Sequence, residues 1–207
     1  DLVTGTWSGA VATSGGPSAR YAHSAVSWID PSSNKPKMSV FGGSVGSGSS
    51  ADDVHTLDLV TGTWSGALDT SGGPSARYQH SAVGWIDPYT NEPKMTVFGG
   101  NDGSGSGADD VHTLDLVTGT WSGALAPSFG PSERRSHSAV GWIDPSTNET
   151  KMTVFGGHDG TNKDDVNTLL LTAKVGVTPT ADFFRHWSAA INRTVPAAIS
   201  TAVTDWF

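Results

Sequence analysis

Asp58-Leu-Val-Thr-Gly-Thr-Trp-Ser-Gly-Ala67 decides the fold, because the same ten residues also begin at Asp1 and at Asp115. The three starting points, Asp1, Asp58 and Asp115, are evenly spaced. A fixed period of that length marks one supersecondary unit copied three times. Such a unit cannot bury its apolar side alone, so the copies must stack or ring around one another. The repeats span residues 1–57, 58–114 and 115–171.

Within one period the pattern predicts four short strands. In the second copy, His80-Ser-Ala-Val-Gly-Trp-Ile86 is apolar and β-prone and stops at Asp87-Pro88. Residues 88–93 form a turn cluster. Lys94-Met-Thr-Val-Phe98 alternates and ends at Gly99-Gly100, and residues 101–108 read as a flexible loop. Val111-His-Thr-Leu-Asp-Leu116 is the third strand, with Val111, Thr113 and Asp115 on one face and His112, Leu114 and Leu116 on the other. Gly119 permits a tight turn into a fourth strand around Thr120-Trp121. The same reading fits residues 20–66 and 134–171. Strands at this spacing with Gly-rich turns predict an all-β fold.

The two ends break the pattern. After Leu169-Leu-Leu171 the expected Asp-Leu-x-Thr-Gly-Thr-Trp is missing, and residues 172–177 stand in as a substitute outer strand. The N-terminus carries a spare copy of that strand. The blade region therefore covers residues 1–177. Residues 178–207 differ in kind: Phe184, Trp187 and Ile191 fall at helical spacing beside Phe183 and Ala190, and Pro196 opens a second face with Ile199, Val203 and Trp206. This predicts a short α-helical C-terminal tail. The chain begins within a repeat and without Met, which reads as a processed form or a fragment of a longer precursor.

Composition narrows the function. Eight Trp and seven Phe supply large side chains for a core. There is no Cys, which removes disulfides and thiolate metal sites. The net charge of −8 argues against nucleic acid, since phosphate contacts need clustered Lys and Arg. No run approaches the roughly 18 apolar residues of a membrane span. The Gly/Ser/Thr/Asp-rich, Lys-poor character points to an extracellular protein.

The assembled residues resemble the Kelch repeat: Arg77-x-x-His80-Ser81-Ala82-Val83, then Val97-Phe98-Gly99-Gly100, Asp110-Val111, and Leu114-Asp115-x-x-Thr118-x-x-Trp121. Matching positions are Arg20, His23, Phe41, Gly42, Gly43, Asp53, Asp58 and Trp64, then Arg134, His137, Phe155, Gly156, Gly157 and Asp165. The Asp box of sialidase-type folds has a different spacing. The resemblance implies a β-propeller with four-stranded antiparallel blades, and propellers close with about four to eight blades. Three are present. The chain is thus a fragment, half of a two-chain ring, or one link in a series. Asp1, Leu2, Val3 and Trp7 are the candidate donors of a strand to the third blade of another copy. Phe183, Phe184, Trp187, Ile191 and Trp206 are candidate docking residues of the tail.

Most repeated residues have a structural reading. The double glycines relieve crowding where the strand turns. Trp7, Trp64 and Trp121 pack between blades. Arg20, Arg77 and Arg134 pair with the Asp-Asp steps at 52–53, 109–110 and 164–165. His23, His80 and His137 are expected to hydrogen-bond within each blade rather than bind a metal. His55 and His112 become Asn167 in the third copy, which suits a surface position better than a ligand. The Asp-bearing loops 44–53, 101–110 and 158–165 suit calcium in donor type, but not in EF-hand spacing. No cofactor follows from the residues, and calcium is the weak alternative. No Gly-x-Ser-x-Gly elbow appears. Copies this similar suit repeated contacts better than one active site. The symmetry-breaking residues are Phe129, Glu133, Arg135, His158, Lys163 and the tail aromatics. Asn148 and Asn192 head glycosylation triplets, and Asn148 sits in an expected surface turn.

The expectation is a non-enzymatic, extracellular structural or interaction protein. It self-assembles, as a homo-oligomer or fibre, through incomplete blades and its tail. The alternative is a carbohydrate- or protein-binding module, with glycans as partners. Few aromatic residues stand in the loops to stack on sugars. A copper oxidase on this scaffold lacks its Cys ligand.

Overall fold

A computed structural model describes residues 14–68, 71–103, 107–124 and 130–172. The chain divides into two compact units, 1–172 and 173–207, and every described residue belongs to the first. The expected helical tail therefore lies outside the described residues, as do the strand of residues 1–7 and the substitute strand beyond Thr172.

All described regular structure is β. Blade 1 contains β1 (Ser24–Asp30), β2 (Lys35–Phe41), β5 (Val54–Asp58) and β6 (Thr63–Trp64), paired in that order as a four-stranded sheet. Blade 2 contains β7 (Ser81–Ile86), β8 (Pro93–Phe98) and β9 (Val111–Asp115), and an antiparallel bridge from Leu114 to Trp121 stands where β6 stands in blade 1. Blade 3 contains β10 (Ser138–Ile143), β11 (Thr150–His158) and β12 (Asn162–Leu170). All ladders are antiparallel. The stretches that begin at Asp58 and Asp115 thus each close the blade before them. Asp58 ends the third strand, and Thr63-Trp64 turns back as the fourth.

Local chemistry fixes the register identically in each blade. Val26 faces Ser39, Val83 faces Thr96, and Val140 faces Thr153. The indole N–H of Trp28, Trp85 or Trp142 donates to that hydroxyl at 2.8–2.9 Å. The hydroxyl in turn bonds Thr56, Thr113 or Thr168 one strand further out. A one-residue slip would break this chain and invert both faces. The first hairpin turns at Asn34, Asn91 and Asn148, each with φ between 53° and 57°. Asparagine is among the few side chains that adopt this region readily.

The core lies between blades. Val26, Phe41 and Val54 of blade 1 pack with Met95, Val97, Leu114 and Trp121 of blade 2. Val83, Phe98 and Val111 of blade 2 pack with Met152 and Val154 of blade 3. Both faces of β9 carry buried side chains, Val111 on one and Leu114 on the other, and His55 and His112, expected at the surface, are buried too, because the neighbouring Trp64 and Trp121 rings lie against them. Trp121 also packs between blades, edge-on to Phe41 with ring centres 5.4 Å apart.

The loops after the double glycines differ from the sequence reading. In blade 1 the loop holds a small hairpin, β3 (Ser44–Gly46) with β4 (Ser49–Ser50). In blade 3 the loop is two residues shorter than in the other copies. There β11 and β12 run to nine residues each and meet in a tight turn at 159–161.

Candidate functional site

One joint recurs where a blade meets the next. Its centre is the arginine four residues before the inner strand. Arg77 donates to both carboxylate oxygens of Asp110 at 2.6 and 2.9 Å and to the Gly99 carbonyl at 3.0 Å. Arg20 grips Asp53 and Gly42 in the same way, and Arg134 grips Asp165 and Gly156. The expected pairing with the Asp-Asp steps is present, and the second aspartate of each step takes the contact. At Asp53 and Asp165 the arginine hydrogen bond leads in holding the carboxyl below its usual range. At Asp110 burial works to raise the pKa, and His112 and Arg77 together outweigh it. These carboxylates are held as ion pairs.

The backbone of the same arginine reaches the preceding blade. The Gly43 amide donates to the Arg77 carbonyl at 2.8 Å, and the Arg77 amide donates to the Ala51 carbonyl at 3.1 Å. Gly100, Arg134 and Ala108 repeat this one blade on. The double glycines are needed here. Gly42 and Gly99 have φ of 63°. A Cβ on Gly42 would stand 2.8 Å from the Arg77 carbonyl oxygen and 3.0 Å from the His80 ring. On Gly99 it would meet Arg134 and His137 at 2.8 and 2.9 Å.

The inner-strand histidine completes the joint. The His80 imidazole lies edge-on to Phe41, with ring centres 5.1 Å apart, and its Nε2 hydrogen-bonds Ser24 Oγ at 2.8 Å. His137 packs on Phe98 at 5.0 Å. These contacts cross between blades, which corrects the expectation of bonding within each blade. The physical reason is that the inner strands lie side by side around the centre. A histidine on one strand therefore reaches its neighbour before its own sheet. Burial is the main cause lowering the pKa of both, to about 3 for His80 and about 4 for His137, and the nearby arginine adds to it. The rings are neutral packing groups. Among the described residues no three His, Cys, Asp or Glu side chains gather as metal ligands.

Blade 3 has one half of this joint and, among the described residues, no partner for it. Val140 is 61% exposed, Phe155 53% and Val166 57%, while their counterparts Val83, Phe98 and Val111 are buried. A Cβ on Gly156 would meet only Lys163 of its own blade. The sequence offers no fourth Arg-x-x-His-Ser-Ala-Val after Arg134. Among the described residues β12 also has no strand on its outer edge, where β5 pairs with β6. This open face and edge are the candidate interaction surface. The repeat pattern alone could not reveal the face, because Val140, Phe155 and Val166 match their buried counterparts in type. The missing fourth motif was the available signal.

The other expected site residues divide simply. Asp1, Leu2, Val3, Trp7, Phe183, Phe184, Trp187, Ile191, Trp206 and Asn192 lie outside the described residues. Asn148 sits exposed at φ 57° in the β10–β11 turn. Tyr21 is exposed, whereas Tyr78 is half-buried and its hydroxyl accepts a bond from Asn101. Of the two, only Tyr21 presents an open ring beside the double glycines. Among the described residues no helix is long and apolar enough to cross a membrane.

Comparison with known proteins agrees with this geometry. The family model for the KLHDC2/KLHL20/DRC7 Kelch-repeats domain matches residues 1–175. The human Rab9 effector protein with kelch motifs is 32% identical over 153 residues, 73% of this chain and 38% of that protein. Acyl-CoA-binding domain-containing protein 5 of Arabidopsis thaliana is 35% identical over 104 residues, 49% of this chain and 15% of that protein. The chain thus spans less than half the length of these relatives. A chain in the cryo-EM structure of RAG in complex with one melted and one unmelted RSS shares the fold, with TM-score 0.54, 14% identity, and coverage of 81% of this chain and 56% of that one. With the repeated Arg–Asp, Gly-Gly and His–Phe joints in place, this chain belongs to the Kelch-repeat family.

Proposed function

We propose that this chain is a non-enzymatic Kelch interaction module that self-associates through its incomplete set of blades. The supporting observation is the uncovered face of blade 3, whose counterparts on blades 1 and 2 are covered by the next blade. An apolar surface of this kind marks an interaction site. The repeated carboxylates and histidines are consumed in blade joints, which favours binding over catalysis. A relative that carries the name of a Rab9 effector supports a protein-binding role in the same direction.

Strand donation and tail docking belong to this proposal. Trp64 precedes Ser81, and Trp121 precedes Ser138, by the same offset in sequence. Each of these tryptophans serves the blade before the strand that those serines open. Trp7 precedes Ser24 by that offset too. By this register Asp1, Leu2, Val3 and Trp7 serve a blade preceding blade 1, and a second molecule supplies that blade. Phe183, Phe184, Trp187, Ile191 and Trp206 form the second contact. An extracellular, structural setting, with Asn148 and Asn192 as glycosylation acceptors, rests on composition alone.

Sedimentation equilibrium across a concentration series tests this reading. The average mass should climb above the 21.4 kDa of one chain. A mass fixed at that value at every concentration ends it. Deleting residues 1–8 should abolish the larger species, and an unchanged particle would remove strand donation.

A further inference from the structure

We propose that the open face of blade 3 is a seat for blade 1 of a second copy, so that two chains close one six-bladed ring. This rests on the self-association reading above and names its partner surface.

The seat is defined by what fills it twice within the chain. On blade 1 it is filled by Arg77, His80 and Gly84 of blade 2. On blade 2 it is filled by Arg134, His137 and Gly141 of blade 3. The line Arg-x-x-His-Ser-Ala-Val with a small residue after it therefore makes the polar and close backbone contacts of the seat, beside the apolar contacts of Met95, Val97 and Leu114 or of Met152 and Val154. The only remaining copy of that line in the sequence is residues 20–27 of blade 1. Its outward side is open, since His23, Ala25 and Ser27 are all exposed. Val40 and Leu57, further out on that face, are already buried. The line 20–27 is thus the part of blade 1 that can enter.

The contacts follow from the two existing joints. The His23 ring of one copy lies on Phe155 of the other, as His80 lies on Phe41. Its Nε2 meets Ser138 Oγ, as that of His80 meets Ser24 Oγ in the first joint, a bond that His137 and Ser81 do not make in the second. The Arg20 carbonyl accepts from the Gly157 amide. The backbone chain that already runs from Ser136 to Gln79 and from Gln79 to Ala22 continues when Ala22 of the second copy donates to the Ser136 carbonyl.

Two copies of the three described blades supply six, within the range of about four to eight at which such rings close, joined by a pair of identical head-to-tail contacts.

One residue departs from the pattern and sharpens the test. Ser27 stands where blades 2 and 3 have Gly84 and Gly141. A Cβ on Gly84 would lie 3.2 Å from Val26 Cβ, and on Gly141 3.3 Å from Val83 Cβ. The Ser27 side chain must therefore crowd Val140 in the joint between copies. Removing it should tighten that joint.

The experiment uses the full chain in sedimentation velocity, with Phe155→Asp, His23→Asp and Ser27→Gly beside the unaltered protein. Circular dichroism confirms folding of each, and both Asp substitutions are at exposed positions. The unaltered chain should form a species of two copies. Each Asp substitution should raise the dissociation constant at least ten-fold, because it buries an unpaired charge in both joints. Mixing the two Asp variants, each tagged differently, should restore a mixed pair, because one joint then has an intact seat and an intact entering strand. Ser27→Gly should lower the dissociation constant. A monomer at all concentrations overturns both this inference and the self-association reading. A pair or polymer that persists unchanged in His23→Asp overturns the seat and leaves self-association standing.

Discussion

Phe98 on blade 2 lies beneath the His137 ring and is 3% exposed, whereas Phe155, at the same register on blade 3, is 53% exposed. The two strands around them differ little in sequence. The difference lies in the neighbour, since blade 3 follows blade 2 and no described blade follows blade 3. In a repeat fold the energy resides largely in the interfaces between units. A residue's worth is then set by what its neighbour presents to it. Blade 3 is a unit with half its interface energy unrealised, and the experiments that matter contrast it with blade 2.

The largest contrast is expected at the arginines. Arg77 is 1% exposed and holds together its own blade and the one before. Arg77→Ala leaves Asp110 without its cation and the Gly99 carbonyl without that donor. Breaking a buried pair on one side costs about 3–5 kcal/mol. Arg134 is as deeply buried, but its partner Asp165 is 44% exposed, so water compensates more of the loss. Urea unfolding should rank Arg77→Ala as the more damaging. Equal effects would show that the Asp contact contributes little and that the backbone bonds carry the joint.

The phenylalanines give the next effect. Phe98→Ala empties a packed site and should cost about 3–5 kcal/mol. Phe155→Ala, measured at a concentration too low for association, should cost no more than an ordinary surface change, about 0.5 kcal/mol. The gap between the two should narrow as concentration rises. A large cost for Phe155→Ala in the dilute monomer would mean that this face is covered within the chain.

Much of this architecture was legible because each structural rule is written three times. The strand pattern, the Gly-Gly step and the Arg–Asp pair recur at one period, and chance does not repeat so regularly. Three matters were not legible. The first was the direction in which His80 points. A histidine at a strand start can bond its own sheet or the next, and only the packing of adjacent inner strands decides. The second was the open face. Val140 is chemically equivalent to Val83, so burial cannot be assigned from residue type when the neighbouring unit is what buries it. Shortening the third loop by two residues likewise turned a predicted loop into longer strands, an effect of chain length rather than composition.

Acid acts on the same joints between blades. His80 and His137 are buried neutral, mainly because burial disfavours their charged form, with pKa values of about 3 and about 4. In the unfolded chain each titrates near 6.5. Below that pH the unfolded state binds the protons that the folded state refuses. Stability is thus fully present above pH 6.5 and is lost as pH falls from 6.5 toward 4 and then 3. Thermal unfolding followed between pH 7 and 4 should show a falling midpoint, and His80→Gln should flatten the slope. An unchanged slope in His80→Gln would show that the buried ring between the blades does not carry the loss in acid.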